Sequence, residues 1–407
     1  MISGIYNKFR RITSSQLYFP EIDGIRFLAI VLVVLFHTHG YFIGKSPVKY
    51  TDESQYTLLN TLLVNGDRGV ELFFVLSGFI LCLPFAHHYI NNGKKVSLKR
   101  YYLRRVTRLE PPYFIAMTAI LLMHLVLKIW PVSVILPSWL ASLIYSHNII
   151  FHRTPLLTVV AWSLEIEIQF YIFAPLLFRL LALNKFARRS VLFTATVLFT
   201  FLQRWYHPPF TSIYGFAQYF LIGILLADFY VSNTAAALFN KKWMVFPAII
   251  CLLLILYLPI KVVFLPVKIA PGSLDSFFFA RLCFPFLLGL FYYIVLKNDL
   301  VRRVFSYKFI PVIGGMCYSV YQLHYTIISL FGRFTLGFHI TSHYLPNLIL
   351  QIVLLGIPVL VISSVFYFYI ERPFMSGKWL DMLIKKDKKE EGTNMPAEEA
   401  IVKKKDS

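Results

Sequence analysis

Apolar runs of roughly twenty residues recur from one end of this chain to the other, the length a helix needs to cross a bilayer core of about 30 Å. Backbone N–H and C=O groups find no partner in lipid, so a spanning run must be a helix or part of a closed barrel. The runs here are continuous and do not alternate as barrel strands do. Composition agrees: 57% of the 407 residues are hydrophobic and 15% charged, where a soluble chain carries about 25% charge. The expected fold class is all-α, a polytopic membrane protein with about ten transmembrane helices. Their windows are 25–44, 69–90, 111–130, 159–183, 189–206, 212–231, 243–260, 276–296, 309–331 and 346–370. The stretch 133–151, interrupted by Pro137, reads as an interfacial or re-entrant piece.

Lysine and arginine orient these spans, because cytoplasmic connections carry the excess. With the N-terminus inside, 30 of the 40 Lys and Arg fall on inner connections, 9 on outer ones, and Arg281 within a span. Both termini are therefore expected in the cytoplasm. The basic start is followed by a long apolar run without a small-residue cleavage site, which reads as a retained helix. The expected organisation is a cytoplasmic segment 1–20, a transmembrane domain 21–375 and a charged, disordered cytoplasmic tail 376–407. The net charge of +20 is a topology signal, since the basic residues are dispersed over loops without a nucleic-acid recognition module. Cys82, Cys251, Cys283 and Cys317 lie in apolar segments without paired spacing. They read as small buried hydrophobes with no disulfide or metal role.

Ionisable groups inside spans are expensive to keep, which makes them candidates for function. In "DGIRFLAIVLVVLFH", Arg26 and His37 are separated by eleven residues. At about 100° per residue that interval returns to the same helix face, about 16 Å along the axis. Arg26 falls at the cytoplasmic mouth and His37 near mid-membrane; the bland alternative is a snorkelling Arg and a His bonded to a backbone carbonyl. "WSLEIEIQFY" puts Glu165 and Glu167 near mid-depth, and a two-residue offset lets at most one of them face His37. "RGVELFFVLSGF" holds Arg68 and Glu71, three apart and able to pair, with Ser77 and Gly78 halfway in. Ser77 is either a nucleophile, for which spacing identifies no base, or part of a close helix–helix contact. The loop entering the third span, "KRYYLRRVTRLEPPY", gathers Arg100, Arg104, Arg105 and Arg108 at the inner surface, where guanidinium groups suit phosphate. Tyr321 and His324 share a face in "YSVYQLHY"; His324 reads equally as a core histidine and as a functional group.

Six segments in order resemble the integral-membrane acyltransferase-3 family: "EIDGIRFLAIVLVVLFH", "GVELFFVLSGF", "RRVTRLEPPY", "WSLEIEIQFY", "YSVYQLHY" and, at 369–374, "YIERPF", which contains Glu371. The resemblance covers nearly the whole membrane region. It implies that Arg26 and His37 are the family's first-helix Arg and His, that Arg105 and Arg108 are its Arg-x-x-Arg pair, and that Glu167 is its acidic position. Glu165 stands where a smaller residue is usual, Glu71 replaces the commoner Asp, and Glu110 interrupts an Arg-x-Leu-Pro run. The family moves acyl groups, most often acetyl, from cytoplasmic acyl-coenzyme A to hydroxyls of surface glycans or secreted glycoconjugates, from a multi-pass position in the cell (inner) membrane. This chain resembles the stand-alone type.

The reading is thus an acyl-coenzyme A-dependent O-acyltransferase without a metal. Arg26, Arg105 and Arg108 hold the donor's phosphates; His37 is the general base toward a sugar hydroxyl, and Glu167 orients it. A transient acyl-histidine is a variant. Arg68, Glu71, Ser77, Tyr321, His324 and Glu371 are supporting candidates. The rival from another class is a transporter or flippase for an anionic or lipid-linked glycan, using the same basic mouth without chemistry.

Overall fold

The computed structural model describes residues 18–203, 205–206, 208–258 and 276–375. The expected tail 376–407 and most of the segment 1–20 lie outside the described residues. Among the described residues every regular element is helical. Ten principal helices occupy the ten expected windows. They are α1 (Pro20–Lys45), α2 (Gly69–Asn91), α3 (Leu98–Val126), α4 (Ala161–Leu177), α5 (Lys185–Leu202), α6 (Ala217–Val231), α7 (Val245–Tyr257), α8 (Ser276–Lys297), α9 (Cys317–Thr335) and α10 (Tyr344–Phe366). Five helical stretches, containing α1, α2, α3, α8 and α10, are long and apolar enough by length and composition to cross a membrane. The chain is a polytopic membrane protein.

Local chemistry explains the boundaries. Pro20 opens α1 with Glu21 and Asp23 in its first turn, a fixed φ and negative charge where a helix N-terminus favours both. Ser97 caps α3 by accepting from the Arg100 amide, so the helix starts thirteen residues before the expected window at 111. Arg100, Arg104, Arg105 and Arg108 therefore belong to its first turns and not to a loop; Pro111 and Pro112 sit inside the helix without ending it. Pro137 likewise lies within a helix, Val132–Leu143. The break in the 133–151 stretch comes later, at Tyr145, whose φ of 53° no helix continues through. The ninth window is also divided, into Ile310–Gly315 and α9, at Met316.

Lipid gives no hydrophobic drive for helices to associate, so close approach and buried polar contacts must do it. One such close crossing is between α2 and α6, where Gly78 and Gly223 face each other. A Cβ on Gly78 would lie 2.4 Å from the Phe220 carbonyl oxygen, and one on Gly223 2.3 Å from that of Val75. At the basic end Asp228 of α6, fully buried, accepts from Arg188 and Arg189 of α5, each through Nε at 2.5 Å. Outward faces are apolar: on α10, Ile349, Val353, Ile357, Val361 and Val365 are exposed at four-residue intervals while Leu348, Gln351, Leu355 and Val359 are buried. Of the cysteines, Cys82 and Cys251 are buried as expected, but Cys283 is on the exposed face of α8 and Cys317 is half-buried. Beyond α10 the chain makes a π-helical turn, Tyr367–Glu371, before Arg372–Phe374.

Candidate active site

Five of these helices, α1, α2, α3, α4 and α9, converge on a cavity of about 130 Å³ at the basic end. Arg26 of α1 reaches it, fixed by an ion pair with Asp23 one turn before. From α3 come Arg105 and Arg108, three apart and thus on one face. The Arg105 guanidinium lies between the rings of Tyr101 and Tyr171, 5.7 and 5.9 Å from their centroids, and its Nε is buried with no hydrogen-bond partner. That orphaned donor and the adjoining guanidinium groups fit an anionic oxygen.

On α4, Ser163, Glu167 and Tyr171 follow at four-residue intervals and all border the cavity. Glu167 Oε1 accepts from Ser77 Oγ of α2 at 2.5 Å and from the Tyr171 hydroxyl. Ser77 thus faces the cavity, while its neighbour Gly78 makes the close helix crossing. Tyr321 of α9 shares a hydrogen bond of 2.5 Å with Ser163. Glu371 borders the cavity too and accepts from Ser319, through its amide at 3.1 Å and its hydroxyl. The π-helical turn directs this carboxylate inward, at the kind of place where such turns often occur.

His37 is outside the cavity lining but one helical turn from it along α9: His324 Nε2 lies 3.2 Å from His37 Nδ1, and Tyr321 precedes His324 by three. His324 Nδ1 is 3.0 Å from the Val320 carbonyl oxygen and 2.8 Å from that of Tyr321. Carbonyls only accept, so Nδ1 of His324 carries the hydrogen and its Nε2 offers a lone pair. His37 Nδ1, which also lies 3.0 Å from the Val33 carbonyl oxygen, must then be the donor in the pair. This arrangement leaves Nε2 of His37 as a proton acceptor. The contact expected between Glu167 and His37 is replaced, among the described residues, by His37–His324 on one side and Glu167–Ser77–Tyr171 on the other.

Other candidates fall elsewhere. Glu165, fully buried, accepts from the amide and side chain of Asn148 at 2.9 and 3.0 Å, tying α4 to the short helix His147–Phe151. Arg68, 1% exposed, donates to the carbonyls of Ile255 and Leu258 at the C-terminal end of α7, where a cation is favoured. Glu71 is buried near it on α2. Sequence reasoning missed Ser163 and Tyr171 as cavity residues, although their four-residue spacing from Glu167 was visible. It also missed Tyr318, whose hydroxyl donates to the Leu109 carbonyl at 2.8 Å across the cavity rim.

Comparison with known proteins bears on the whole arrangement. The chain is 24% identical over 394 residues to the peptidoglycan O-acetyltransferase OatA of Listeria monocytogenes, covering 90% of this chain and 57% of that protein. It is 25% identical over 195 residues to the O-acetyltransferase OatA of Staphylococcus aureus, covering 45% of this chain and 28% of that protein. The chain thus spans little more than half of the first of these relatives. No solved structure matches it. A family model described as an acyltransferase domain matches residues 19–368, from the start of α1 into the π-helical turn, and the chain belongs to that acyltransferase family.

Proposed function

We propose that the protein transfers an acyl group, most simply acetyl, from cytoplasmic acyl-coenzyme A to a hydroxyl of a cell-surface glycan. The observation that carries this reading is the cavity that gathers Arg26, Arg105 and Arg108 around Glu167 and Ser77. Its volume of about 130 Å³ has room for a short acyl group. The donor's phosphates would lie at the arginine-lined mouth. His37 acts as general base toward the acceptor through Nε2, a role worth about 10²–10⁴-fold in rate; His324 fixes its tautomer. The relatives named as O-acetyltransferases, one of them for peptidoglycan, support acetyl as the group and a wall or surface polysaccharide as the acceptor class. The charge partition supports an arginine mouth in the cytoplasm and an acceptor side opposite, in a multi-pass protein of the cell membrane.

The test is acetyl-coenzyme A turnover by purified protein in detergent, with and without glycan acceptors. Release of coenzyme A thiol coupled to ester formation on the glycan is the expected result. Glycan translocation in vesicles with no loss of acetyl-coenzyme A would overturn the enzyme reading in favour of a transporter.

A further inference from the structure

We propose that Ser77 carries the acyl group as a covalent ester between donor and acceptor, with Glu167 as its base; the inference rests on the acyl-transfer reading above. An activated nucleophile is recognised by a base within hydrogen-bond reach that is itself oriented by a third group. Ser77 Oγ, Glu167 Oε1 at 2.5 Å and the Tyr171 hydroxyl form that series. All three border the cavity that holds the arginines. A serine that only tied α2 to α4 would be sealed between them, whereas Ser77 is half-buried and opens on the cavity. The other cavity hydroxyls are committed elsewhere: Ser163 and Tyr321 to each other, Tyr318 to the Leu109 carbonyl.

Placement gives the two half-reactions different bases. His37, the base toward the acceptor, is not among the cavity-lining residues and is reached from them along α9 through Tyr321 and His324. Glu167 therefore serves the donor half-reaction and His37 the acceptor half-reaction. In the first half-reaction Ser77 Oγ bonds to the thioester carbonyl carbon and the C–S bond breaks. The serine proton passes to Glu167, and coenzyme A departs as the thiolate, beside the guanidinium groups, to be protonated by water. In the second, the acceptor oxygen bonds to the same carbon and the bond to Ser77 Oγ breaks. Glu167 returns its proton to the serine oxygen, and the acceptor's proton goes to His37 Nε2 and on to water.

A carrier predicts exchange of radiolabelled coenzyme A into acetyl-coenzyme A by the full chain with no acceptor present. Wild type should exchange; Ser77→Ala should lose exchange by at least ~10³-fold. Ser77→Cys should regain an acetylated protein, as a thioester cleaved by neutral hydroxylamine, which shows that the loss in Ser77→Ala is not misfolding. His37→Ala should lose transfer to glycan yet keep exchange, and Tyr171→Phe should slow exchange without moving the label from residue 77. Exchange retained in Ser77→Ala, or label mapped to His37 or Tyr171, overturns the carrier. Wild type that acetylates glycan without exchange also overturns it and leaves the proposed function standing. Absence of both exchange and transfer sinks the function itself.

Discussion

At the scale of single residues, the two histidines form one hydrogen-bonded pair. His324 is fully buried and bound on its Nδ1 side by two carbonyls, so it can only accept from His37. His324→Ala should therefore lower kcat by about 10- to 100-fold while leaving the donor KM unchanged. Gln at 324, whose amide oxygen also accepts, should recover part of the loss; an altered donor KM with normal kcat would contradict the positioning role. Arg105→Ala should instead raise the donor KM, since a lost charge-assisted bond costs about 1.5–3 kcal/mol, roughly 10- to 150-fold. Lys at 105 should restore only a part, because it brings charge without the planar fork. The equal shares of cavity and histidine pair were only half legible in sequence. Helical spacing put Arg26 and His37 on one face of α1, and both do turn toward the α9 side of the fold. Periodicity within one helix says nothing about which helix lies opposite, however. That is why the sequence pairs Glu167 with His37 although its partners are Ser77 of α2 and Tyr171 of its own helix, and why it does not distinguish His324 from a core histidine.

Elements were more legible than sites, because an apolar run of spanning length has few alternatives to a helix. What composition hid were breaks and extensions decided by one residue. The serine cap at 97 turned a basic loop into three helical turns, and the φ of Tyr145 ended a helix that Pro137 had not. Between elements, the costliest single contact to disturb is Asp228. It balances two guanidinium groups from α5 at zero exposure, and removing one partner of a buried ion pair leaves charge uncompensated at about 3–5 kcal/mol. Asp228→Asn should lower the thermal midpoint in detergent by several degrees or prevent accumulation in the membrane. A midpoint equal to wild type would show that the arginines find lipid phosphate instead. Glu165→Gln belongs to the same class, since its oxygen holds Asn148. It should cost stability, read in the same melt, with turnover per folded molecule near wild type; a Glu165→Gln loss of turnover larger than that of Glu167→Gln would reverse the assignment of the two carboxylates.

For the molecule as a whole, a largely apolar interior coexists with an apolar outer face. Selected polar side chains, among them Glu165, Asp228, Ser163 and Ser319, are enclosed between helices, and large apolar ones such as Phe246 (69% exposed) and Ile357 (58%) face outward. The positive-inside partition then gives the bundle a direction. In a Cys283→Ala background, Lys49→Cys, exposed after α1, should react with a membrane-impermeant maleimide on intact cells. Lys94→Cys, exposed between α2 and α3, should react only after permeabilisation. The reverse pattern would invert the topology and put the arginine mouth on the wrong side for a cytosolic donor.

The π-helical turn at 367–371 has one further consequence. Such a turn is the trace of one extra residue in an otherwise regular helix, so it shifts the phase of everything after it by about 100°. Deleting a single residue among 368–370 would restore an unbroken α-helix and swing the carboxylate at 371 out of the interior, away from Ser319. Members of this family aligned without a gap at that point would then differ from this chain in which side chain closes the cavity, although their letters matched.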